Sequence, residues 1–397
     1  MSSPALSRPP LGFLMLLGMM AAVPAMTLDM YLPALPEMAR DLSTTQALAQ
    51  GTISGVMIGS AVGQLFNGPL SDRFGRRRPF FAGMALHIVM SVLCAISPNI
   101  YMLLGVRMLQ GAGNAAATIA AFSALRDRFA GPAQSSGMSW VQSVIAVVPL
   151  AAPALGGFIA HHFGWRAVFL TLAVFGLVVM GLVAALLEET HPPERRSARG
   201  APLFATLTPL LRDARFLTLV IVPAMSTTVL LTYVSASSFV LQEGYGLTPG
   251  QFVIVFSING LMIILGAQVN SRFVYRVGTE RMLWIGIAGS LVFAVALLVT
   301  AWSGAGGVWG FSVPLALLLA ANFLTLPNAV TLALQRHAER AGSATALMGA
   351  IQQFLAGVLS PLVAVFGGGA LAMAIVLLGA VVLAAVFGFV TRGLERR

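Results

Sequence analysis

Two charged side chains interrupt long apolar stretches of this sequence. Asp29 lies within the apolar run 9–36, and Arg107 lies within the run 79–125. If these runs cross a membrane, each charge costs roughly 2.5–3.5 kcal/mol even on a lenient insertion scale, so such residues face a cavity or pair with each other. Removal from water favours the protonated form of a carboxyl group, whereas a nearby cation favours the ionised form. We therefore expect Asp29 to bind and release a proton beside Arg107, with a purely structural ion pair as the alternative.

The composition places these runs in a membrane. Hydrophobic residues make up 58% of the 397 residues and charged residues 9%, whereas a soluble domain carries roughly 25% charged residues. Cys94, the single cysteine, lies in an apolar stretch, which argues against a disulfide framework or a metal site. The sequence contains neither HExxH nor GxSxG, the motifs of zinc proteases and serine hydrolases. These features predict a membrane protein that is not an enzyme and needs no cofactor.

The charge-poor runs predict the number of membrane spans, because about 20 helical residues cross the roughly 30 Å apolar core of a bilayer. Three runs hold two spans each and six hold one. The two-span runs are 79–125, 282–335 and 341–391, with turns near 97–99, 303–309 and 367–369, and the single-span runs are 9–36, 42–71, 129–165, 167–187, 216–242 and 244–271. The total predicts an all-α membrane protein with twelve transmembrane helices. A charged, proline-rich linker, 188–214, divides it into two six-helix bundles, 1–187 and 215–397.

The arginines predict the orientation of these spans. The chain has no lysine, and with the N-terminus in the cytoplasm 20 of its 23 arginines lie on the cytoplasmic side, as the positive-inside rule requires. Both termini are therefore expected in the cytoplasm. The positive charge is spread over the ends of the spans, which argues against a nucleic-acid partner. The arginine-rich, lysine-free composition is typical of a GC-rich bacterial genome, so we expect the protein in a bacterial inner membrane. We also expect it to be a monomer.

The two halves contain a weak internal repeat. GPLSDRFGRRR begins at Gly68 and GAQVNSRFVYRVG begins at Gly266, 198 residues later, with Asp72 and Asn270 at matching positions. Internal repeats of this kind are typical of transporters, whose substrate site lies near the membrane midplane between the repeats. Repetition and the lack of charged rings argue against a channel.

Several motifs resemble a known family. GPLSDRFGRRRP (68–79), RMLQGAGNAAA (107–117) and PLAAPALGG (149–157) resemble the loop 2–3, helix 4 and helix 5 signatures of the major facilitator superfamily. Together with LDMYLPALP (28–36), they resemble its bicyclomycin and chloramphenicol resistance branch of drug:proton antiporters. Ala152 departs from the wider family, which has glycine there. The resemblance implies multidrug efflux driven by the proton gradient, through alternating access, of small neutral or weakly cationic antibiotics. It also implies that Asp29 recognises proton and substrate and that Arg107 helps to expel the proton.

The resemblance and the residue types suggest gating positions. We expect Gly68 and Gly75 to let the second and eleventh spans approach closely, and Asp72 to cap the helix that begins near Ser343. Arg76 is expected to pair with Asp127. The full set of gating positions is Gly68, Asp72, Arg73, Gly75, Arg76, Gln110, Gly111, Asp127, Pro149, Pro153, Gly156 and Gly157. The alternatives are that the loop arginines only fix topology and that the prolines only kink the fifth span.

Substrate contacts are expected from polar and flexible side chains along the cavity. Besides Asp29 the candidates are Met26, Tyr31, Gln142, Tyr233, Asn259, Asn322 and Gln352. For each, the alternative is a hydrogen bond between helices. The expected partners are a small-molecule drug, protons and the lipid bilayer. The alternative function is a proton-coupled exporter or symporter of a small metabolite on the same fold.

Overall fold

The computed structural model describes residues 9–129, 131–192, 203–335 and 341–395. Within these ranges the ordered elements are helices. The N-terminal group comprises α1 (Leu11–Asp29), α2 (Leu35–Asp41), α3 (Gln46–Phe74), α4 (Arg77–Ala95), α5 (Ile100–Arg128), α6 (Gly131–Phe163) and α7 (Trp165–Leu186). After α8 (Leu203–Arg212), the C-terminal group comprises α9 (Ala214–Phe239), α10 (Pro249–Val277), α11 (Thr279–Ser303), α12 (Gly307–Gln335), α13 (Ala341–Leu359), α14 (Leu362–Val365) and α15 (Ala370–Glu395).

Ten helical segments of the described ranges are long and apolar enough to cross a membrane. The two remaining predicted spans correspond to α3 and α5, which have 29 residues each, about 43 Å of helix. Their composition is less apolar because they pack through small residues. A side chain at Gly59 would overlap the Met108 carbonyl, and one at Gly111 would overlap the Val56 carbonyl. Glycine therefore brings the two backbones together, as in other membrane helix pairs.

The first predicted span is a broken helix. α1 ends at Asp29, a 3-10 turn covers Leu32–Ala34, and α2 begins at Leu35. Pro33 and Pro36 have no N–H to donate, so neither can continue the hydrogen bonding of α1. Pro33 therefore leaves the Asp29 carbonyl, and Pro36 the Leu32 carbonyl, without the N–H donor that a continuous helix would supply. The break places Asp29 at a helix end inside the protein, an arrangement that transporters use to build binding sites.

Glycines bring α3 and α13 together, but they are not the glycines that the motif suggested. A side chain at Gly68 would meet nothing within 4 Å. The close approach instead uses Gly349, whose added Cβ would lie 2.5 Å from Gln64 Oε1, and Gly357, whose added Cβ would lie 3.0 Å from Ile58 Cγ1. The prediction for Gly68 is therefore wrong in this conformation, in which the close contact of α3 with α13 ends one turn earlier, at Gln64.

Gly75 has a conformational role. It ends α3 with φ +87°. Gly278 ends α10 in the same way, with φ +90°. This backbone region strongly favours glycine, which has no Cβ to clash. The close helix contact expected at Gly75 stays a prediction.

The same glycines correct the register of the internal repeat. Gly75 and Gly278 are 203 residues apart. So are Gly63 and Gly266, which pack on the carbonyls of Ala112 and Ala320 respectively. A register of 203 thus replaces the predicted 198, and the counterpart of Asp72 becomes Tyr275 instead of Asn270. The match by residue type failed because it aligned Gly68, which has open space beside it, with Gly266, which packs on a backbone carbonyl.

Candidate functional site

Arg107 is completely buried and is bound to the break in the first span. Its Nη2 donates to the Thr27 carbonyl at 3.2 Å, and its Nη1 donates to Gln110 Oε1 at 2.6 Å. The guanidinium carbon lies 4.2 Å from the centre of the Tyr31 ring and 5.4 Å from that of Phe169. The arginine thus supplies a donor to a carbonyl of the last turn of α1 and is held over two aromatic faces, where a cation is stabilised.

Asp29 lies two residues from the carbonyl that Arg107 binds, and only 6% of its surface is exposed. Among the ion pairs of the described residues, none joins Asp29 to Arg107. The Tyr233 hydroxyl of the C-terminal group lies near this carboxyl group. The alternative of a structural ion pair is therefore not realised in this conformation. A carboxyl group in such surroundings favours its neutral, protonated form.

A series of hydrogen bonds beyond Gln110 holds the Arg107 side chain in place. Gln110 Nε2 donates to Ser91 Oγ at 2.7 Å, and Ser91 Oγ donates to the His87 carbonyl at 2.7 Å. The His87 ring approaches Asn114 and the Leu172 carbonyl, although neither ring nitrogen reaches hydrogen-bond geometry in the described part of the chain. Gln110 and Ser91 orient the guanidinium, and only Gln110 was expected from the sequence.

Tyr233, Asn259 and Gln352 lie on the C-terminal side of the site. The Tyr233 ring stacks on Phe256 with ring centres 5.1 Å apart, and its hydroxyl donates to the Phe256 carbonyl at 3.4 Å. Asn259 lies beside the same hydroxyl. Gln352, which is partly buried, accepts from Thr227 at 3.2 Å. These three residues remain predictions for substrate contact, as does the partly buried Met26.

Two other substrate candidates, Tyr31 and Asn322, form hydrogen bonds within their own helix groups. Asn322 donates to the Ser226 carbonyl at 2.9 Å inside the C-terminal group, where it lines a cavity of about 10 Å³, room for about one water. Tyr31 donates its hydroxyl toward Thr52 at 2.9 Å and covers Arg107, packed against Phe169. In each the polar atom is satisfied within its own group, as it also is in Tyr233 and Gln352, so substrate contact by Tyr31 and Asn322 likewise stays a prediction. The side chain of Gln142 lies outside the described residues.

Gly156 and Gly157 of the fifth predicted span pack against different neighbours. α6 runs from Gly131 to Phe163 and contains Pro149 and Pro153. A side chain at Gly156 would overlap the carbonyl of Met30, next to Asp29. At Gly157 the added Cβ would lie 3.6 Å from Pro33 and 3.6 Å from Val253, an ordinary contact. Gly156 thus lets α6 touch the break in the first span, and Gly157 faces α10 of the other group.

Arg76 organises a polar cluster at the arginine-rich end of the molecule, the end where α3 and α5 finish. Its Nε donates to Asp127 Oδ2 at 2.9 Å, and its Nη1 donates to Asp72 Oδ1 at 2.6 Å and to Ser71 Oγ at 3.0 Å. The predicted pairing with Asp127 is present. Burial opposes the charge of Arg76, but the bonds to both acids outweigh it and raise its pKa above the ordinary arginine value.

Glu189 completes this cluster and was not foreseen. Its carboxylate accepts from the backbone N–H groups of Arg76 and Arg77, at 2.9 and 3.2 Å, at the first turn of α4. An acid favours this position because helix N-termini carry unpaired donors and a positive dipole end. Arg73 lies 5.0 Å from the Phe74 ring centre. The predicted cap by Asp72 near Ser343 involves a side chain outside the described residues, so it stays a prediction.

The two acids that bind Arg76 should differ in importance. The side chain of Asp127 is 15% exposed and that of Asp72 is 60% exposed. We expect Asp127→Asn to cost about 1.5–3 kcal/mol, the range for a hydrogen bond to a charged group, and Asp72→Asn about 0–1 kcal/mol, as for exposed pairs. Thermal unfolding of the purified protein checks this, with a larger drop in Tm for Asp127→Asn. Equal shifts for the two variants would contradict the ranking.

The two groups are joined by polar contacts at the opposite end. Ser238 Oγ donates to the Leu32 carbonyl at 2.6 Å, and Gln242 Nε2 donates to the Pro33 carbonyl at 3.2 Å. The Leu32 carbonyl is available because Pro36, four residues later, has no N–H. Additional contacts across the same end join Arg40 to Glu243 at 3.7 Å and Gln46 to the Gly368 carbonyl at 3.1 Å. This end is therefore closed over the site.

Helix groups that enclose a buried acid and arginine beside a broken helix define a class of protein, the membrane transporters. Residues 14–361 match the Major Facilitator Superfamily, and the chain belongs to that family. It is a multi-pass transporter of the bacterial inner membrane and not an enzyme. The resemblance seen in the sequence is thereby confirmed.

Individual relatives agree with this assignment. The chain is 34% identical, over 88% of each chain, to the uncharacterized MFS-type transporter YdgK of Bacillus subtilis. It is 31% identical to the bicyclomycin resistance protein homolog of Haemophilus influenzae, over 89% of this chain and 88% of that one. It is 30% identical to the multidrug resistance protein MdtL of Escherichia coli, over 82% and 81%. A crystal structure of a D-xylose-proton symporter shares the fold, with a TM-score of 0.75 at 16% identity over 94% of this chain and 96% of that chain.

Proposed function

We propose that the protein is a proton-coupled efflux antiporter for small neutral or weakly cationic antibiotics. The observation that carries this proposal is the buried Asp29 carboxyl group, which has no ion pair with Arg107 although that arginine binds the carbonyl of Thr27. The relationship to a bicyclomycin resistance protein homolog and to a multidrug resistance protein supports an antibiotic as substrate. One acid and one arginine at the site suit such substrates better than strongly anionic metabolites.

The proposed architecture has twelve spans, two bundles (1–187 and 215–397) and both termini in the cytoplasm. The arginine-rich end is then cytoplasmic, and the closed end is periplasmic. In this conformation Asp29 is protonated, and Arg107 is occupied by Thr27 and Gln110. If the break after α1 rearranges while the periplasmic end is still closed, Arg107 loses the Thr27 carbonyl and becomes available to Asp29, so that the proton leaves toward the cytoplasm. A positive charge beside the carboxyl group favours release of its proton, and the drug then binds at the deprotonated site.

The contacts at the closed end give the mechanism its outer gate. Ser238 and Gln242 bind backbone carbonyls next to the break, so separating the groups there also frees the segment that carries Asp29. Opening toward the periplasm would thereby expose the carboxyl group to the compartment from which protons enter. Protonation and gate opening are coupled through one short segment of chain, 29–36. No cofactor is needed, since the proton gradient supplies the energy.

The direction of proton movement tests the proposal. Purified protein is reconstituted into liposomes that contain a trapped pH-sensitive dye, and a phenicol or bicyclomycin is added outside without any imposed gradient. An antiporter exchanges entering drug for departing protons, so the lumen should become more alkaline. A symporter for a metabolite-like compound would instead make the lumen more acidic as proton and substrate enter together. Drug entry without any change in lumenal pH would overturn proton coupling.

A further inference from the structure

The buried face of α3 contains a glutamine side chain without hydrogen bonds. Gln50 lies in the second turn of α3 and is completely buried. Neither its amide nitrogen nor its amide oxygen has a hydrogen-bond partner within the described parts of the chain. The hydroxyl of Ser54, four residues later, is also buried and unpaired there. Most buried side-chain amides are paired, because an unpaired amide has lost its water without replacement.

The packing of α3 places Gln50 at the boundary between the two helix groups. Residues four apart share a face of a helix. Gln46, one turn before Gln50, donates to the Gly368 carbonyl of the C-terminal group at 3.1 Å. One turn after Gln50, the Ser54 carbonyl lies 3.3 Å from the Cβ that a side chain at Gly357 of α13 would add. Gln50 therefore lies on the face of α3 that contacts the C-terminal group.

This part of the boundary lies at the closed end, which is periplasmic in the proposed function. Gln46 is among the residues that join the two groups there, together with Ser238 and Gln242. When that end opens, the facing parts of α3 and the C-terminal group separate, and water reaches the surface between them. The Gln50 amide then gains the hydrogen bonds that it lacks in the closed conformation. Its desolvation cost is thus confined to the closed conformation.

We propose that Gln50 favours opening of the periplasmic end, because its amide is buried and unpaired only while that end is closed. The inference rests on the proposed function for the alternation between a closed and an open periplasmic end, but not on proton coupling or on the drug. Gln46 has the opposite effect, because its hydrogen bond to Gly368 exists only across the closed boundary. The two glutamines thus help to set the ratio of the two conformations, both of which a transporter has to visit.

Pulsed dipolar electron spin resonance between two spin labels measures this ratio. The labels are attached through Glu37→Cys in α2 and Val365→Cys in α14, which are exposed at the closed end on different groups. The single native cysteine is removed by Cys94→Ala. The full-length chain in liposomes, without drug or gradient, is compared with Gln50→Met, which keeps the unbranched shape without the amide. We expect the open-to-closed ratio to fall about tenfold, or about 1.4 kcal/mol, within the cost of an unpaired buried polar group.

Gln46→Met is the matched control. It makes the same change one turn earlier on the same face, but it removes an existing hydrogen bond across the boundary. Its open-to-closed ratio should rise about threefold, as expected for the loss of an ordinary hydrogen bond. General damage to the packing of α3 would move both variants in the same direction. Shifts of the same sign, or an unchanged ratio in Gln50→Met, would overturn the proposal.

Two further results decide the remaining cases. If Gln50→Met does not fold, Gln50→Leu removes the same amide with another apolar shape, and its ratio should fall in the same way. A single short distance in the unmodified protein and in both variants would show that this end does not open, which would overturn the proposal. Since the labels report without drug or protons, failure of the lumenal pH test leaves this measurement valid. Weaker drug binding by Gln50→Met with an unchanged ratio would make Gln50 a substrate contact instead.

Discussion

Replacing Asp29 with asparagine is expected to reduce proton-driven drug accumulation in inverted vesicles to the background of vesicles without the protein. Asparagine has nearly the same shape, so the buried position and the fold should be kept, but it cannot bind or release a proton. Exchange of drug for drug, which needs no proton movement, should therefore continue in the same vesicles. This split between uphill transport and exchange separates loss of coupling from loss of folding.

A second carboxylate of the same segment provides the control for this experiment. Glu37 lies in α2, eight residues from Asp29, and is exposed, whereas Asp29 is buried. Glu37→Gln removes the same charge without touching the site, so uphill accumulation should be unchanged. Undiminished accumulation by Asp29→Asn, at equal protein abundance, would remove Asp29 from the role of proton carrier.

The sequence was sufficient for the general architecture and for the identity of the central pair. Charge-poor runs predicted the helices, because hydrocarbon admits few charges and the cost is large. It was not sufficient for the contact between the pair. Opposite charges left open a structural ion pair between Arg107 and Asp29 as the alternative, but in this conformation the guanidinium binds the Thr27 carbonyl. That acceptor exists only because the first span breaks after Asp29, which depends on how Pro33 and Pro36 are accommodated in three dimensions.

Predictions failed where a role was assigned from the residue type alone, because the sequence does not show which face of the helix the residue occupies. Gly68 belongs to a recognisable motif, yet a side chain there would meet nothing within 4 Å, while the close contact of α3 with α13 is made one turn earlier, at Gln64. Asn322 was assigned to the substrate cavity because it is polar, and its amide donates to the Ser226 carbonyl inside its own group, so its contact with substrate stays a prediction. In a membrane helix both faces are largely apolar, so periodicity does not tell which face points to lipid, to protein or to a cavity. Glu189 was missed because its partners are more than 100 residues away in sequence.

Gly156→Ala should be among the most damaging single-methyl changes in the protein. The added carbon would overlap the carbonyl of Met30, a backbone atom that cannot rotate out of the way. Either α6 moves outward or the break next to Asp29 changes its conformation, and overpacking of this kind costs about 1–3 kcal/mol or more. We expect a lower Tm together with a loss of proton-driven transport, since the displaced segment carries the proposed proton site.

Gly157→Ala, one residue further along the same helix, supplies the opposite expectation. Its added carbon would lie at ordinary contact distance from Pro33 and Val253, and alanine is favoured over glycine inside a helix by up to about 1 kcal/mol. Its Tm should therefore be unchanged or higher. Thermal unfolding and vesicle transport of both variants measure the difference. If the two alanine variants had the same Tm and the same transport activity, the close contact of Gly156 with the Met30 carbonyl would not limit packing at the site. The proposed dependence of the Asp29 segment on its contact with α6 would then be wrong.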